Sequence, residues 1–276
     1  MSASVGRESL IERASECRRV ARAAFFDFDH TLIDADAGVV LGLSLGREGY
    51  ARARAFRSKP VRAAYYTYVT GKLASVLARG AFLAGLYKAR IIKRSTHVRL
   101  GYGMLKGVRQ RDMDARMAAI WDERLKELFF PDMLKLLDEH RKRGDRLVIV
   151  TTALRPLIEH AKKYIGEDVD IIACEPHVEE GIWSGRVEGP LYGAEKRDAM
   201  VKYAAERAID LTESTAYSDH WSDVAFLEAV GHAVVVNPDL RLSLFAKRRG
   251  WRILRVTPPP RSSRAQKALA EREQAS

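Results

Sequence analysis

Short apolar runs and segments of helical periodicity alternate along much of the chain. The apolar runs are a few residues long and bounded by charged or turn-forming residues, which is typical of buried strands. Between them, apolar residues recur at helical spacing. Strands that alternate with helices indicate a mostly parallel sheet with helices on both faces, an α/β fold. The pattern predicts strands over 23–28, 146–151, 169–173, 215–218, 233–236 and 253–256, and a hairpin within 175–191.

Residues 36–128 interrupt this alternation directly after the first strand. Their pattern is helical throughout and is best interpreted as an inserted helical cap. Glycine and proline predict helix breaks near Gly46, Pro60, Gly71, Gly101 and Gly107. The predicted organisation is an N-terminal helix over 1–22, an α/β core of 23–35 and 129–257, the cap over 36–128 and a flexible tail over 258–276.

The excess positive charge of the chain lies within this helical insert. The net charge is +11, but the segment 47–111 alone carries about +15 and the remainder about −4. Such asymmetry favours an anionic partner, namely a phosphorylated substrate, a lipid headgroup or a nucleic acid; a solvated basic helical face is the alternative. Two cysteines make neither a disulfide framework nor a zinc pattern, so a reducing cytoplasm is the simplest compartment. The sequence gives no indication of an oligomeric state.

Two acidic clusters follow predicted strands. Asp27 and Asp29 come after the first strand, and Asp219 and Asp223 after the strand 215–218. Ligands of open α/β sheets bind at the carboxyl ends of strands, and carboxylates suit a hard cation. One carboxylate could attack a phosphorus atom while its neighbour passes a proton. Taken singly, each aspartate could instead form a turn or cap a helix.

Four segments together resemble the motifs of the haloacid dehalogenase (HAD) superfamily of phosphohydrolases. They occur in the family's order: the sequence DFDHTL at 27–32, VIVT at 148–151, Lys196 at a helix start, and SDHWSD at 218–223. The helical insert resembles the cap of the subgroup that contains phosphoserine phosphatase. The resemblance covers about residues 20–256 and implies a Rossmann-like, mostly parallel sheet with an inserted α-helical cap.

The resemblance also implies roles for the first and last motifs. Asp27 would be the nucleophile, and Asp29 would be the general acid for the leaving alcohol and then the base for water. The implied cofactor is Mg2+, held by Asp27, Asp219 and the backbone carbonyl of Asp29.

The remaining implied roles concern the phosphoryl group and the substrate. Thr151 would donate to a phosphoryl oxygen, and Lys196 would neutralise charge on that group and on the nucleophile. Asp223 would support the metal or the lysine. Asp36 stands where the phosphoserine-specific branch has a longer Glu that binds the substrate amine. His30 and His220 each follow a motif aspartate. We interpret both side chains as filling space beside the site rather than contacting the substrate.

The cap provides a second indication of substrate. The run 73–87 contains one charged residue, Arg79, and Lys72 and Lys88 flank it. This suits either the buried core helix of the cap or a helix at an anionic membrane surface, where lipid phosphates would be substrates.

The leading hypothesis is therefore a Mg2+-dependent phosphomonoesterase that acts through an aspartyl phosphate on Asp27, on a phosphoserine-like or lipid phosphate. A phosphotransferase with the same intermediate is one alternative. The other is a non-catalytic protein whose basic cap binds an anionic membrane or RNA, with RNA ranked last because no recognised RNA-binding motif is present.

Overall fold

The computed structural model describes residues 21–45, 58–89, 91–92, 94–189 and 192–259. The predicted N-terminal helix before residue 21 and the predicted tail beyond residue 259 lie outside these ranges.

Seven strands form one twisted sheet within the described residues, in the order β4-β3-β2-β1-β5-β6-β7. All neighbours are parallel except β3 and β4, which are antiparallel. The predicted α/β fold class is confirmed. The strands are β1 (Ala23–Phe26), β2 (Arg146–Leu154), β3 (Val169–Glu179), β4 (Ile182–Glu188), β5 (Thr215–Ser218), β6 (His232–Val236) and β7 (Arg252–Leu254).

Helices connect the strands and fill the segment between β1 and β2. They are α1 (37–45), α2 (Lys59–Lys88), α3 (Arg94–Tyr102), α4 (Gln110–Glu123), α5 (Pro131–Lys142), α6 (Arg155–Glu159), α7 (Lys162–Ile165), α8 (Ala194–Glu206), α9 (Val224–Leu227) and α10 (Leu240–Arg249).

Successive side chains of β1 point to opposite faces of the sheet and build two cores. Phe26 packs in the core to which α4 contributes Met117 and Trp121, whereas Phe25 packs with Met200 of α8. Because both faces are covered by helices, β1 is apolar along its whole length, as its sequence indicates.

The strand register brings the polar strand ends together. Phe26 is level with Ile149 of β2 and with Tyr217 of β5, and all three strands run in the same direction. The residues that follow these positions therefore leave the sheet at one edge, with β1 in the middle. This edge carries the acidic clusters.

β3 and β4 form the predicted hairpin, but β3 is longer than predicted. β3 continues to Glu179 because its second half pairs with β4. Glu180 and Gly181 both have positive φ, 49° and 73°, as a two-residue type I′ turn requires.

Two helix predictions were wrong in detail. α2 continues through Gly71, because a single glycine costs a helix only about 1 kcal/mol relative to alanine. Pro60 stands at the start of α2 and Gly107 ends a turn with φ of 84°, but Gly46 lies outside the described residues. The sequence pattern predicts one helix over 156–164, but the structure splits this segment between α6 and α7.

In the parts of the chain that the structure describes, no helix is long and apolar enough to cross a bilayer. The predicted boundary between core and cap stays a prediction.

Candidate active site

A buried lysine joins two aspartates at the carboxyl edge of the sheet. Lys196, 1% exposed, places Nζ 2.8 Å from Asp27 Oδ1 and 2.6 Å from Asp223 Oδ2. The ammonium also lies 5.0 Å from the centre of the Phe226 ring. Burial disfavours the charged amine, but Asp223 and Asp27 outweigh it and raise the pKa of Lys196. The lysine is therefore a fixed positive charge within a cluster of acids.

The first turn of α8 holds this lysine in place. Gly193 precedes the helix with φ of 55°, a left-handed conformation that suits glycine. A Cβ added there would lie 3.4 Å from the Ser222 carbonyl oxygen. The close approach of these two chain segments brings Lys196 to Asp223.

Asp27 is fixed by its backbone and by one of its carboxylate oxygens. Its N–H donates to the Tyr217 carbonyl (2.9 Å), and Oδ1 accepts from the Phe28 N–H (2.7 Å) as well as from Lys196. Burial raises the pKa of Asp27 to about 6, with Lys196 opposing the rise and Asp223 adding to it. Oδ1 is therefore engaged by two hydrogen-bond donors.

Asp219 stands across from Asp27 on the loop after β5. Thr31 Oγ1 donates to Asp219 Oδ1 over 3.4 Å, which ties the two acidic loops together. Burial, followed by the charges of Asp27 and Asp223, raises the pKa of Asp219 to about 7.

Asp29 and Asp36 lie near each other at the start of α1. Asp29 Oδ1 accepts from the Ala37 N–H, and Asp36 Oδ1 accepts from the Val39 N–H, each at 2.8 Å. Burial and then the charge of Asp36 raise the pKa of Asp29 well above its ordinary value. The Asp29 carboxyl therefore binds its proton more tightly than an ordinary aspartate does. Asp36 caps the helix through one oxygen.

Thr151 lies in the last part of β2, and Asp223 lies in the short turn after β5. Thr151 is 1% exposed, and its Oγ1 accepts from the Ala153 N–H (3.1 Å), so its hydrogen remains for donation. Asp223 accepts from the hydroxyls of Ser218 (2.8 Å) and Ser222 (3.2 Å). The sequence-predicted site residues thus come from several elements at this edge: Asp27, Asp29 and Asp36 follow β1, Thr151 belongs to β2, Lys196 to α8, and Asp219 and Asp223 follow β5.

Comparison with known proteins shows which family the chain resembles in sequence and fold. Residues 24–228, well over half of the chain, match the model of the haloacid dehalogenase-like hydrolases. The chain belongs to this family. The predicted HAD membership is confirmed.

Relatives across most of the chain include named phosphatases. The inhibition of morphological differentiation protein of Streptomyces azureus is 29% identical, over 87% of this chain and 80% of its own. Phosphoserine phosphatase SerB1 of Mycobacterium tuberculosis is 28% identical, over 84% and 70%. A probable phosphatase of the same organism is also 28% identical, over 87% and 77%. The prediction of an HAD-type phosphatase is confirmed.

Solved structures share the fold. A protein of unknown function from Bordetella pertussis Tohama I has a TM-score of 0.68 at 23% identity, over 85% of this chain and 98% of that chain. A phospho-aspartyl intermediate analogue of phosphoserine phosphatase has a TM-score of 0.55 at 17% identity, over 85% and 93%. At these identities the likeness concerns the fold alone.

Members of the HAD family generally use Mg2+, and the donors at this edge fit such a cation. In the described part of the chain, no three acidic, histidine or cysteine side chains form a ready-made metal site. Two carboxylates, those of Asp27 and Asp219, with the Asp29 carbonyl and waters, would be the oxygen donors that Mg2+ prefers. The raised pKa values of both carboxyls show that a further positive charge would be favourable there.

Several contacts of this HAD site have no signal in the sequence. Tyr102 of α3 donates its phenol hydrogen to the Thr152 carbonyl (2.7 Å), which brings the helical insert onto the end of β2. His220 Nδ1 accepts from the Ser222 N–H (3.1 Å) and caps the short helix that follows. His30 has φ of 57° and faces solvent.

Proposed function

We propose that the protein is a Mg2+-dependent phosphomonoesterase that forms an aspartyl phosphate on Asp27. The observation that carries the proposal is the Lys196 ammonium between Asp27 and Asp223, at 2.8 Å and 2.6 Å. A carboxylate that receives a phosphoryl group needs a fixed positive charge beside it, because two anions otherwise repel each other.

The first step transfers the phosphoryl group from the substrate to the enzyme. Asp27 Oδ2 attacks phosphorus, because Oδ1 already accepts from Lys196 and Phe28. The bond from phosphorus to the ester oxygen breaks, and Asp29 gives its proton to the leaving alcohol. Lys196 and the Thr151 hydroxyl lie where they can stabilise the phosphoryl oxygens. Bound Mg2+, held by Asp27, Asp219 and the Asp29 carbonyl, would reduce the repulsion between carboxylate and phosphate.

The second step is hydrolysis of the aspartyl phosphate. Asp29, now ionised, takes a proton from water as the water oxygen attacks phosphorus, and the bond to Asp27 Oδ2 breaks. Asp29 can activate water in this step, and the relatives that are named as phosphatases support water as the acceptor. This favours hydrolysis over the phosphotransferase alternative, which an assay for transfer to added alcohols would test.

A small, phosphoserine-like phosphate ester is the proposed substrate class. The named phosphoserine phosphatase among the relatives supports it, and Asp36, whose charge acts on Asp29, would offer a carboxylate to a substrate amine there. A lipid phosphate remains the alternative that rests on the sequence of residues 73–87.

The test is phosphate release from a panel of esters with Mg2+, from phosphoserine and sugar phosphates to lysophosphatidate and phosphatidylglycerophosphate. Asp27→Asn is the matched blank because it keeps the side-chain shape. We expect release from one class of ester, its loss in the blank, and its reversible loss in chelator. Turnover near wild type in Asp27→Asn would contradict the covalent mechanism, and turnover in chelator would contradict the metal requirement.

A further inference from the structure

A chain of buried polar groups lies directly behind the active site and takes no part in the proposed chemistry. His140 of α5, 2% exposed, lies 2.7 Å from Asp145 Oδ2 through Nδ1 and 2.7 Å from the Tyr217 hydroxyl through Nε2. Asp145 also accepts from Arg22. Polar groups in a core are costly unless each has a partner, so an apolar pair would fill this space more simply.

The hydrogen-bond directions along this chain are fixed by Asp145. Although burial opposes it, the bond from Arg22 holds the pKa of Asp145 below its ordinary value, so the carboxylate accepts. His140 therefore donates through Nδ1–H, and Nε2 accepts the phenol hydrogen of Tyr217. Burial lowers the pKa of His140, which agrees with a neutral ring.

Tyr217 connects this chain to the catalytic strands. Its ring stacks on Phe26, with centroids 4.7 Å apart and planes 4° from parallel, and its carbonyl accepts the Asp27 N–H. Phe26 and Tyr217 are the last register pair between β1 and β5. β1 ends directly at this pair and β5 ends one residue later, and the loops that follow carry Asp27 and Asp219.

We propose that His140 and Tyr217 are positioning residues for the metal-binding aspartates. Their hydrogen bond fixes the Tyr217 ring and the end of β5, and thereby sets the separation of Asp27 and Asp219. The inference rests on the proposed function, because it assigns the pair a role in the site where Mg2+ would bind. Partners that orient metal ligands typically change metal affinity or activity by about 10- to 100-fold when they are removed.

The test compares Tyr217→Phe with a matched control, Tyr203→Phe. Tyr203 is also buried, also donates its phenol hydrogen to a fixed acceptor, Asp170, and also packs against a β1 aromatic residue, Phe25. It lies on the opposite face of the sheet, away from the acidic loops. Both variants remove one hydroxyl and keep the ring, so both should lose similar stability in urea.

The deciding readouts are metal affinity and the split between kcat and KM. Free Mn2+ is counted by electron paramagnetic resonance on chelator-treated protein, so this arm needs no substrate. We expect Tyr217→Phe to weaken Mn2+ binding about 10-fold and to lower kcat by a similar factor with KM nearly unchanged, and Tyr203→Phe to change neither. His140→Asn keeps an N–H for Asp145 but has no atom at the Nε2 position, so it removes the bond to Tyr217 from the other side. It should behave like Tyr217→Phe, with little further effect in the double variant.

Equal Mn2+ affinity and kcat in Tyr217→Phe, His140→Asn and the Tyr203→Phe control would overturn the inference, whatever the loss of stability. Failure of the wild-type protein to bind Mn2+ would instead contradict the proposed function itself, and this inference with it. The His140→Asn variant also decides the matter if Tyr217→Phe does not fold.

Discussion

Replacing Asp27, the proposed nucleophile, should stabilise the protein while it abolishes turnover. The pKa of Asp27 rises from 3.8 to about 6 in the folded chain, so its ionised form is unfavourable there. Each pKa unit corresponds to about 1.4 kcal/mol, so the ionised carboxylate lowers the free energy of unfolding by about 3 kcal/mol. Asn has the same shape and no charge, and Lys196 keeps Asp223 at 2.6 Å. Without divalent cations, Asp27→Asn should therefore be more stable by about 3 kcal/mol at neutral and alkaline pH.

The sign of the pH dependence makes this prediction specific. At a pH below 3.8 the carboxyl is protonated in both the folded and unfolded chains, and the two proteins should be equally stable. Between 3.8 and about 6 the unfolded chain loses its proton first, so the wild type loses stability relative to the variant. Above about 6 the difference should be constant, because the group is ionised in both states.

Urea unfolding in chelator, followed by circular dichroism across this pH range, measures the difference. Asp34→Asn is the control, since Asp34 is an exposed acid in the same loop and should change stability by less than about 0.5 kcal/mol at any pH. Equal free energies of unfolding for the wild type and Asp27→Asn at alkaline pH would contradict the cost assigned to the Asp27 charge. So would a gain in stability that is the same at acid and alkaline pH.

Three further outcomes follow from the same site. Because the pKa of Asp219 is raised to about 7, protons should compete with the metal for this carboxylate. The Mg2+ concentration for half-maximal phosphate release should therefore rise several-fold as the pH falls through 7. A Mg2+ requirement that does not change with pH would contradict ligation by Asp219. Lys196→Met leaves Asp27 and Asp223 without their shared cation, so unfolding in urea should become easier by about 3–5 kcal/mol near neutral pH, and an unchanged midpoint would refute that pairing. Asp29→Asn removes the proposed proton donor, so kcat/KM, which reports on the first step, should fall about 10²- to 10⁴-fold for an alkyl phosphate and much less for p-nitrophenyl phosphate, whose leaving group needs no proton. Equal losses of kcat/KM would exclude Asp29 as the general acid.

The place of the acids could be predicted from the sequence because it depends on local pattern. Asp27 follows a short apolar run and Asp219 follows the predicted strand 215–218, and parallel strands end at the same edge of a sheet. The sequence therefore predicts both the fold class and the edge at which these carboxylates lie, without knowledge of any side-chain contact.

The charge states at this edge could not be predicted in the same way. Lys196 lies in a polar first turn, among Glu195 and Arg197, and its pattern alone is that of a surface lysine. It is buried because Asp27 and Asp223, both distant in sequence, pair with it. His140 likewise lies between charged neighbours in α5, and its burial depends on Tyr217 from a strand that follows much later. Such contacts arise from tertiary packing and leave no periodicity in the sequence.

The same repulsion links stability, proton binding and metal binding in this site. Asp27, Asp29 and Asp219 all have raised pKa values, and among the described residues of the cluster only Lys196 offsets their charge and that of Asp223. A proton, an uncharged Asn or a divalent cation would each relieve this repulsion. Since they act on one quantity, they should not add: Mg2+ should stabilise the wild type most at the pH where Asp27→Asn is most stabilising, and it should stabilise that variant much less. This lack of additivity is what distinguishes a metal-binding acid cluster from a set of unrelated buried carboxylates.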